Sequence, residues 1–133
     1  MRTFRLLALP ALLLAVAGCG SSDGGGAHPV PGFLTLTLST PNANDGAVLF
    51  KVSGGTIDSV VGGAMVQSGS YVINPTFTRV VTAGNIVDGI IAKIHVPDVD
   101  KAASYSATVE QVAIRTAPYT QQSLTNYTIA ITH

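Results

Sequence analysis

The sequence is poor in the residues on which most functional sites depend. It has no tryptophan, a single cysteine, three histidines and only 11% charged residues, with seven Lys or Arg against seven Asp or Glu. One cysteine excludes an intramolecular disulfide, so the stability of the fold has to come from its core. The sparse and balanced charge leaves no basic stripe to neutralise phosphates, which argues against nucleic acid as a partner.

Catalytic combinations are scarce for the same reason. A nucleophile with an oriented base needs Ser or Cys, His and an acid that converge in space, and the chain beyond residue 32 offers only His95 and His133. Glu110 is the only glutamate, so the paired carboxylates of glycoside hydrolysis have few candidates. We expect His95 on the solvent-facing side of a strand, as an ordinary polar residue. The sequence predicts neither an enzyme nor a cofactor.

The first residues have the pattern of a targeting segment. Arg2 and Arg5 precede an apolar run, residues 6–16, which is shorter than the roughly 20 residues of a membrane-spanning helix. Small residues then lead to the only cysteine in Val16-Ala17-Gly18-Cys19. This arrangement resembles the lipobox of bacterial lipoprotein precursors, which implies that the Cys19 thiol is acylated and the leader cut before it. A short membrane helix and an ordinary cleaved signal are the alternatives.

The lipobox resemblance also implies a domain organisation. Residues 1–18 are the expected signal peptide, 19–32 a lipidated cysteine with a Gly/Ser/Pro tether, and 33–133 one folded domain. The mature protein is then extracytoplasmic and held on a membrane through Cys19. Because Gly20 is not the Asp that retains many lipoproteins at the inner membrane, the outer membrane is the expected location if the source is Gram-negative.

Apolar and polar residues alternate along most of the remaining chain, which is typical of half-buried strands. Leu34, Leu36 and Leu38 begin the pattern, and Gly and Pro punctuate it. Seven to nine strands in about 100 residues predict an all-β, two-sheet antiparallel β-sandwich, either jelly-roll or immunoglobulin-like. Near Gln111 the apolar parity reverses, which predicts a bulge or a strand passing between sheets. The predicted core includes Leu36, Phe50, Ile90, Ile94, Val109 and Ile129.

Few side chains stand out as binding residues. Alternation points Tyr105 and Tyr127 inward and leaves Tyr71 and Tyr119, in or beside turns, as candidates for a binding surface; the competing interpretation is that both are core or rim residues. Asp98 and Asp100 lie in a Pro-Asp-Val-Asp turn, where Asp is common. The same two acids can supply part of a Ca²⁺ site, but six to eight oxygens are needed and no third acid is near in sequence.

Several segments resemble cohesin domains. Residues 46–52 followed by 57–61 are similar to an early alternating strand and a second short strand, residues 88–96 to a later Gly-led strand, and residues 104–112 to the strand that closes the sandwich. Cohesins are β-sandwiches that bind dockerin modules through a sheet face without catalysis. The resemblance implies a non-catalytic envelope module that displays a sheet face or loop rim to a protein or glycan. A self-associating structural lipoprotein, and a small hydrolase using His95 or Glu110, are the alternatives.

Overall fold

The computed structural model describes residues 26–133; the predicted leader and Cys19 lie outside the described residues. The described part contains eight strands and one short 3₁₀ helix. The strands are β1 Gly32–Ser39, β2 Asp45–Ser53, β3 Ser59–Gly62, β4 Val66–Asn74, β5 Phe77–Ile86, β6 Gly89–Val96, β7 Ser106–Ile114 and β8 Thr128–Thr132, and the 3₁₀ helix is Val99–Ser104.

The strands form two four-stranded sheets. Sheet A has the order β3-β6-β1-β8 and sheet B the order β4-β5-β2-β7, and every pairing is antiparallel. This arrangement confirms the predicted two-sheet β-sandwich.

The inner faces of the two sheets supply the core. In β1 and β2 the alternation seen in the sequence matches burial, and Leu36 and Phe50 are fully buried. Ile94 and Val109 are also buried, while Ile129 packs partly buried against the same cluster. Each large aliphatic or aromatic side chain removed from water stabilises such a fold by about 1.5–3 kcal/mol.

The prediction that Ile90 lies in the core is wrong, because β6 contains a bulge. Leu36 pairs with Ala92 but the next residue of β1, Thr37, pairs with Ile90, so Ile91 has no partner. One extra residue exchanges the faces of the side chains before it. Ile91 is therefore 2% exposed and Ile90 50% exposed, the reverse of the prediction.

A second bulge, in β7, confirms the predicted break in alternation. Phe50 pairs with Val109 and its neighbour Leu49 with Gln111, so Glu110 is the extra residue. The strand stays within sheet B on both sides of the bulge. Val109 and Val112 can therefore both face the core, and Glu110 lies on the outer side.

The sandwich has two distinct ends. At the tether end, β1 begins with Gly32 opposite Val96. β2 ends there too, with Ser53 opposite Phe77, so the β4–β5 turn at residues 75–76 lies at the same end. At the loop end lie the four connections β1–β2, β3–β4, β5–β6 and β7–β8. The chain entering β1 is fixed at the tether end because the Val30 N–H donates to Asp98 Oδ1 at 3.3 Å.

Candidate functional site

A groove with a volume of about 600 Å³ lies at the loop end. It lies where the edge strands β3 and β4 meet, beside the β5–β6 connection. Residues 61–66 form one wall and residues 85–91 most of the other, with Lys93 at the rim. We refer to it as the loop-end groove.

Glycines allow the chain to build this groove. Gly63 crosses from sheet A to sheet B, and its N–H donates to the Ile91 carbonyl at 2.9 Å. A Cβ at Gly63 would clash with the carbonyl oxygen of Ile90. Gly84 has a φ of +144°, which favours glycine. A Cβ at Gly84 would clash with the carbonyl oxygen of Met65. The Gly62-Gly63 pair, which reads as a simple break in the sequence, therefore sets the width of the groove.

The groove is apolar and unusually exposed. Four of its large aliphatic side chains are solvent-accessible, namely Val61, Met65, Val87 and Ile90. No aromatic ring lines it. The Asp88 carboxylate at its edge accepts a hydrogen bond from the Thr40 N–H at 2.6 Å, so this charge has a local partner. A concentrated patch of exposed aliphatic side chains is typical of an interaction surface.

Tyr71 and Tyr119 are both exposed, which rules out the alternative that they are core residues, but they do not form one surface. Tyr71 lies level with Arg79 and Lys51, towards the tether end of sheet B. Tyr119 lies beside Ala47, at the loop end. Four residues of β2 separate these levels, which is about 13 Å along the strand. The two tyrosines therefore lie towards opposite ends of sheet B.

Glu110 is held in an ion pair on the outer face of sheet B. Its two carboxylate oxygens lie 2.7 Å and 3.3 Å from the Arg79 guanidinium nitrogens. The hydrogen bond from Arg79 lowers the pKa of Glu110, and the same contact raises the pKa of Arg79. An ionised, paired carboxylate is a poor general acid, so the geometry does not favour the hydrolase hypothesis at this residue.

His95 lies on the outer face of sheet A, where the sequence places it. Its Nδ1 is 3.0 Å from Asp58 Oδ2, and the Phe33 ring packs edge-on at 5.1 Å between centroids. Ser59 stands opposite it in the β3–β6 pairing, yet among residues 26–133 no serine hydroxyl is hydrogen-bonded to the imidazole. The ring is oriented by its neighbours without an activated nucleophile beside it.

Asp98 caps the 3₁₀ helix at the tether end. Its Oδ1 accepts the N–H groups of Val30 and Asp100, each at 3.3 Å, and Oδ2 lies 3.5 Å from Lys101 Nζ. The bond from Val30 is the first cause of a lowered pKa for Asp98. Asp100 is exposed. Within residues 26–133, no three His, Cys, Asp or Glu side chains are grouped to hold a metal ion.

A buried polar cluster at the loop end was missed by sequence reasoning. Asp45 is 0% exposed and is surrounded by Thr40, Asn42 and Tyr127. In the sequence it is the one Asp of Asn42-Ala43-Asn44-Asp45-Gly46, a run of residues typical of turns and exposed loops. Only the pairing of β2 within sheet B shows that it is the first, buried residue of a strand.

Comparisons with family models, with curated proteins and with solved structures gave no match for this chain. In the part of the chain that the structure describes, no helix has the length and apolar character needed to cross a membrane.

Proposed function

We propose that this protein is a lipid-anchored, extracytoplasmic binding module without catalytic activity, and that it presents the loop-end groove to a protein partner. The observation that carries the proposal is the position of the groove. Its exposed aliphatic residues lie at the end of the sandwich opposite the entry of the chain into β1. An anchor at Cys19 would leave this end free to meet a partner.

The separation between the two ends supports this arrangement. Leu38, next to the loop end of β1, pairs with Gly89, and Gly32 at the other end pairs with Val96. The eight residues of β1 span about 26 Å. A partner bound at the groove is thus one domain length away from the point where the tether enters.

The chemistry of the groove favours a protein over a glycan. Sugar rings are held mainly by stacking on aromatic side chains, and the lining here has no aromatic ring: it is mostly aliphatic or glycine, with Asn85, Asp88 and Lys93 as its polar residues. Aliphatic side chains of a partner would displace water from Val61, Met65 and Ile90, which is favourable by about 25 cal/mol per Å² of apolar surface buried. Tyr119, outside the groove, is the residue that a glycan would use.

Matched valines provide the test. Val61 in the groove and Val81 on the outer face of sheet B are 51% and 47% exposed, so they differ mainly in position. A photo-reactive phenylalanine derivative in place of either residue, in the full chain in its native envelope, reports on contacts there. We expect a discrete protein cross-link from position 61 and none from 81. We also expect Val61→Gln to abolish recovery of the same protein, and Val81→Gln to retain it.

Two results would contradict this function. Cross-links of equal strength from positions 61 and 81 would show that the groove has no special role. Binding on a glycan array that is lost with Tyr119→Ala and kept with Val61→Gln would replace the protein partner by a glycan at Tyr119.

A further inference from the structure

The β4–β5 tip, residues 71–77, is a second exposed apolar surface, at the tether end. Tyr71, Val72 and Ile73 are consecutive and all exposed, and Pro75 follows in the turn. No charged residue lies between Asp58 and Arg79 in the sequence. The tip is therefore an uncharged, largely hydrophobic projection at the end of the domain opposite the loop-end groove.

The tip is exposed on both of its faces. Val72 pairs with Thr78, which is only 3% exposed and faces the core, so Val72 belongs to the inner side of sheet B. It is nevertheless 56% exposed. β3, the strand of sheet A that packs against β4, has only four residues, and sheet A does not cover the tip. Water is thus in contact with side chains that the pattern of the strand directs inward.

We propose that the β4–β5 tip inserts into the interface of the lipid bilayer on which the protein is anchored. The proposal rests on the anchor at Cys19 given under the proposed function. The Gly54 N–H donates to the Thr76 carbonyl at 3.1 Å, which fixes the turn against the β2–β3 connection at the tether end. Val30 and Phe33, where the chain enters the domain, are also exposed.

The length of the connection brings this end close to the membrane. Thirteen residues separate Cys19 from Gly32 if Cys19 is counted, and even a fully extended chain of that length reaches no more than about 45 Å. A Gly/Ser-rich chain of that length averages about 20 Å between its ends. The anchor keeps the tip at a high local concentration of lipid, so a small apolar surface is enough for contact.

The side chains of the tip suit an interface between lipid and water. Val72 and Ile73 offer aliphatic surface for the acyl region, and the amphipathic ring of Tyr71 is of the kind enriched at headgroup level. Lys51 Nζ lies 5.6 Å from the centre of the Phe77 ring at the base of the tip, where its ammonium can reach lipid phosphates. The acidic residues Asp58, Asp98 and Asp100 lie outside the tip itself.

Because the chain contains no tryptophan, a single introduced indole reports its own environment. We would place it by Ile73→Trp in the tip and by Ile90→Trp at the loop end, both in the full-length, processed protein reconstituted in phosphatidylethanolamine/phosphatidylglycerol vesicles with brominated acyl chains. Ile90 is 50% exposed and Ile73 41% exposed, which makes the pair comparable. We expect the brominated lipid to reduce the fluorescence of Ile73→Trp at least twofold. The fluorescence of Ile90→Trp should fall by less than a tenth.

Vesicle flotation separates the two ways in which this inference can fail. If both variants float and neither is quenched, the anchor holds and the tip does not enter the bilayer. If neither floats, the anchor itself is wrong and the inference falls with it. A blue shift at position 73 that depends on protein concentration, without quenching by brominated lipid, would assign the tip to contact between copies of the chain.

Discussion

The Tyr127 hydroxyl lies 2.9 Å from both carboxylate oxygens of the fully buried Asp45. Thr40 Oγ1 donates to the same carboxylate at 2.6 Å, and Asn42 Nδ2 donates to the tyrosine oxygen at 2.7 Å. Asp45 begins β2 in sheet B, and Tyr127 directly precedes β8 in sheet A. The cluster therefore links the two sheets at the loop end.

Tyr127→Phe should destabilise the protein by about 1–3 kcal/mol, because it removes a hydrogen bond from a carboxylate that water cannot reach. Urea denaturation followed by circular dichroism measures the change. Tyr119→Phe is the matched control, since Tyr119 is exposed, and should leave stability within about 0.5 kcal/mol. Equal midpoints for the two variants would show that the hydroxyl of Tyr127 contributes nothing to the link.

Alkaline pH should lower the free energy of unfolding of the protein. Burial is the first cause that raises the pKa of both Tyr127 and Tyr105 above the ordinary value of 10.0. A folded-state pKa above the unfolded value gives a stabilisation that is complete below about pH 10 and is lost as the pH rises through the folded-state pKa. The free energy of unfolding of the wild type should therefore be lower at pH 11 than at pH 8. The drop should be smaller in Tyr127→Phe, and an identical drop would refute the assignment to this phenol.

The neighbouring isoleucines of β6 test the bulge. Ile91→Ala should cost about 2–5 kcal/mol because Ile91 lies in the core, while Ile90→Ala should change stability by no more than about 0.5 kcal/mol. The two substitutions remove the same atoms from adjacent positions, so they control for each other in thermal or urea unfolding. The opposite order of effects would restore the unbulged register.

Local pattern predicted most of the fold, and long-range pairing accounts for what it missed. The alternation around Leu36 and Phe50 identifies strands and faces because burial has a period of two. Residues 90 and 91 are both isoleucine, however, so the alternation fits equally well with either of them in the core. Only the pairing with β1 reveals the bulge. The groove and the burial of Asp45 depend on which strands become neighbours, and the composition of short loops does not predict strand pairing.

Acid should weaken the hydrogen bond by which the Asp98 carboxylate holds the chain at the tether end. Hydrogen bonding, first of all from the Val30 N–H, lowers the pKa of Asp98. A depressed folded-state pKa gives a stabilisation that is present above the unfolded value of about 3.9 and is lost as the pH falls through the folded-state pKa. The wild type should therefore lose more stability than Asp98→Asn between pH 6 and pH 2.5 in urea titrations. Asp100→Asn, two residues away and exposed, is the control. A loss in Asp98→Asn as large as in the wild type would refute the role of this cap.

Cys19→Ala should release the protein from membranes, because the proposed acyl chains have no other attachment point in a sequence with one cysteine. Two or three acyl chains bind a bilayer stably, and each buried CH₂ contributes about 0.8 kcal/mol. After cell fractionation, we expect the wild type in the membrane pellet and the variant in the soluble or unprocessed pool. Ser21→Ala, two residues downstream, changes a side chain of the same size and should stay in the pellet. If Cys19→Ala loses its leader and still sediments with membranes, the domain is held by something other than a lipid on this cysteine. The β4–β5 tip would then be the first surface to examine, since it is the apolar projection at the tether end.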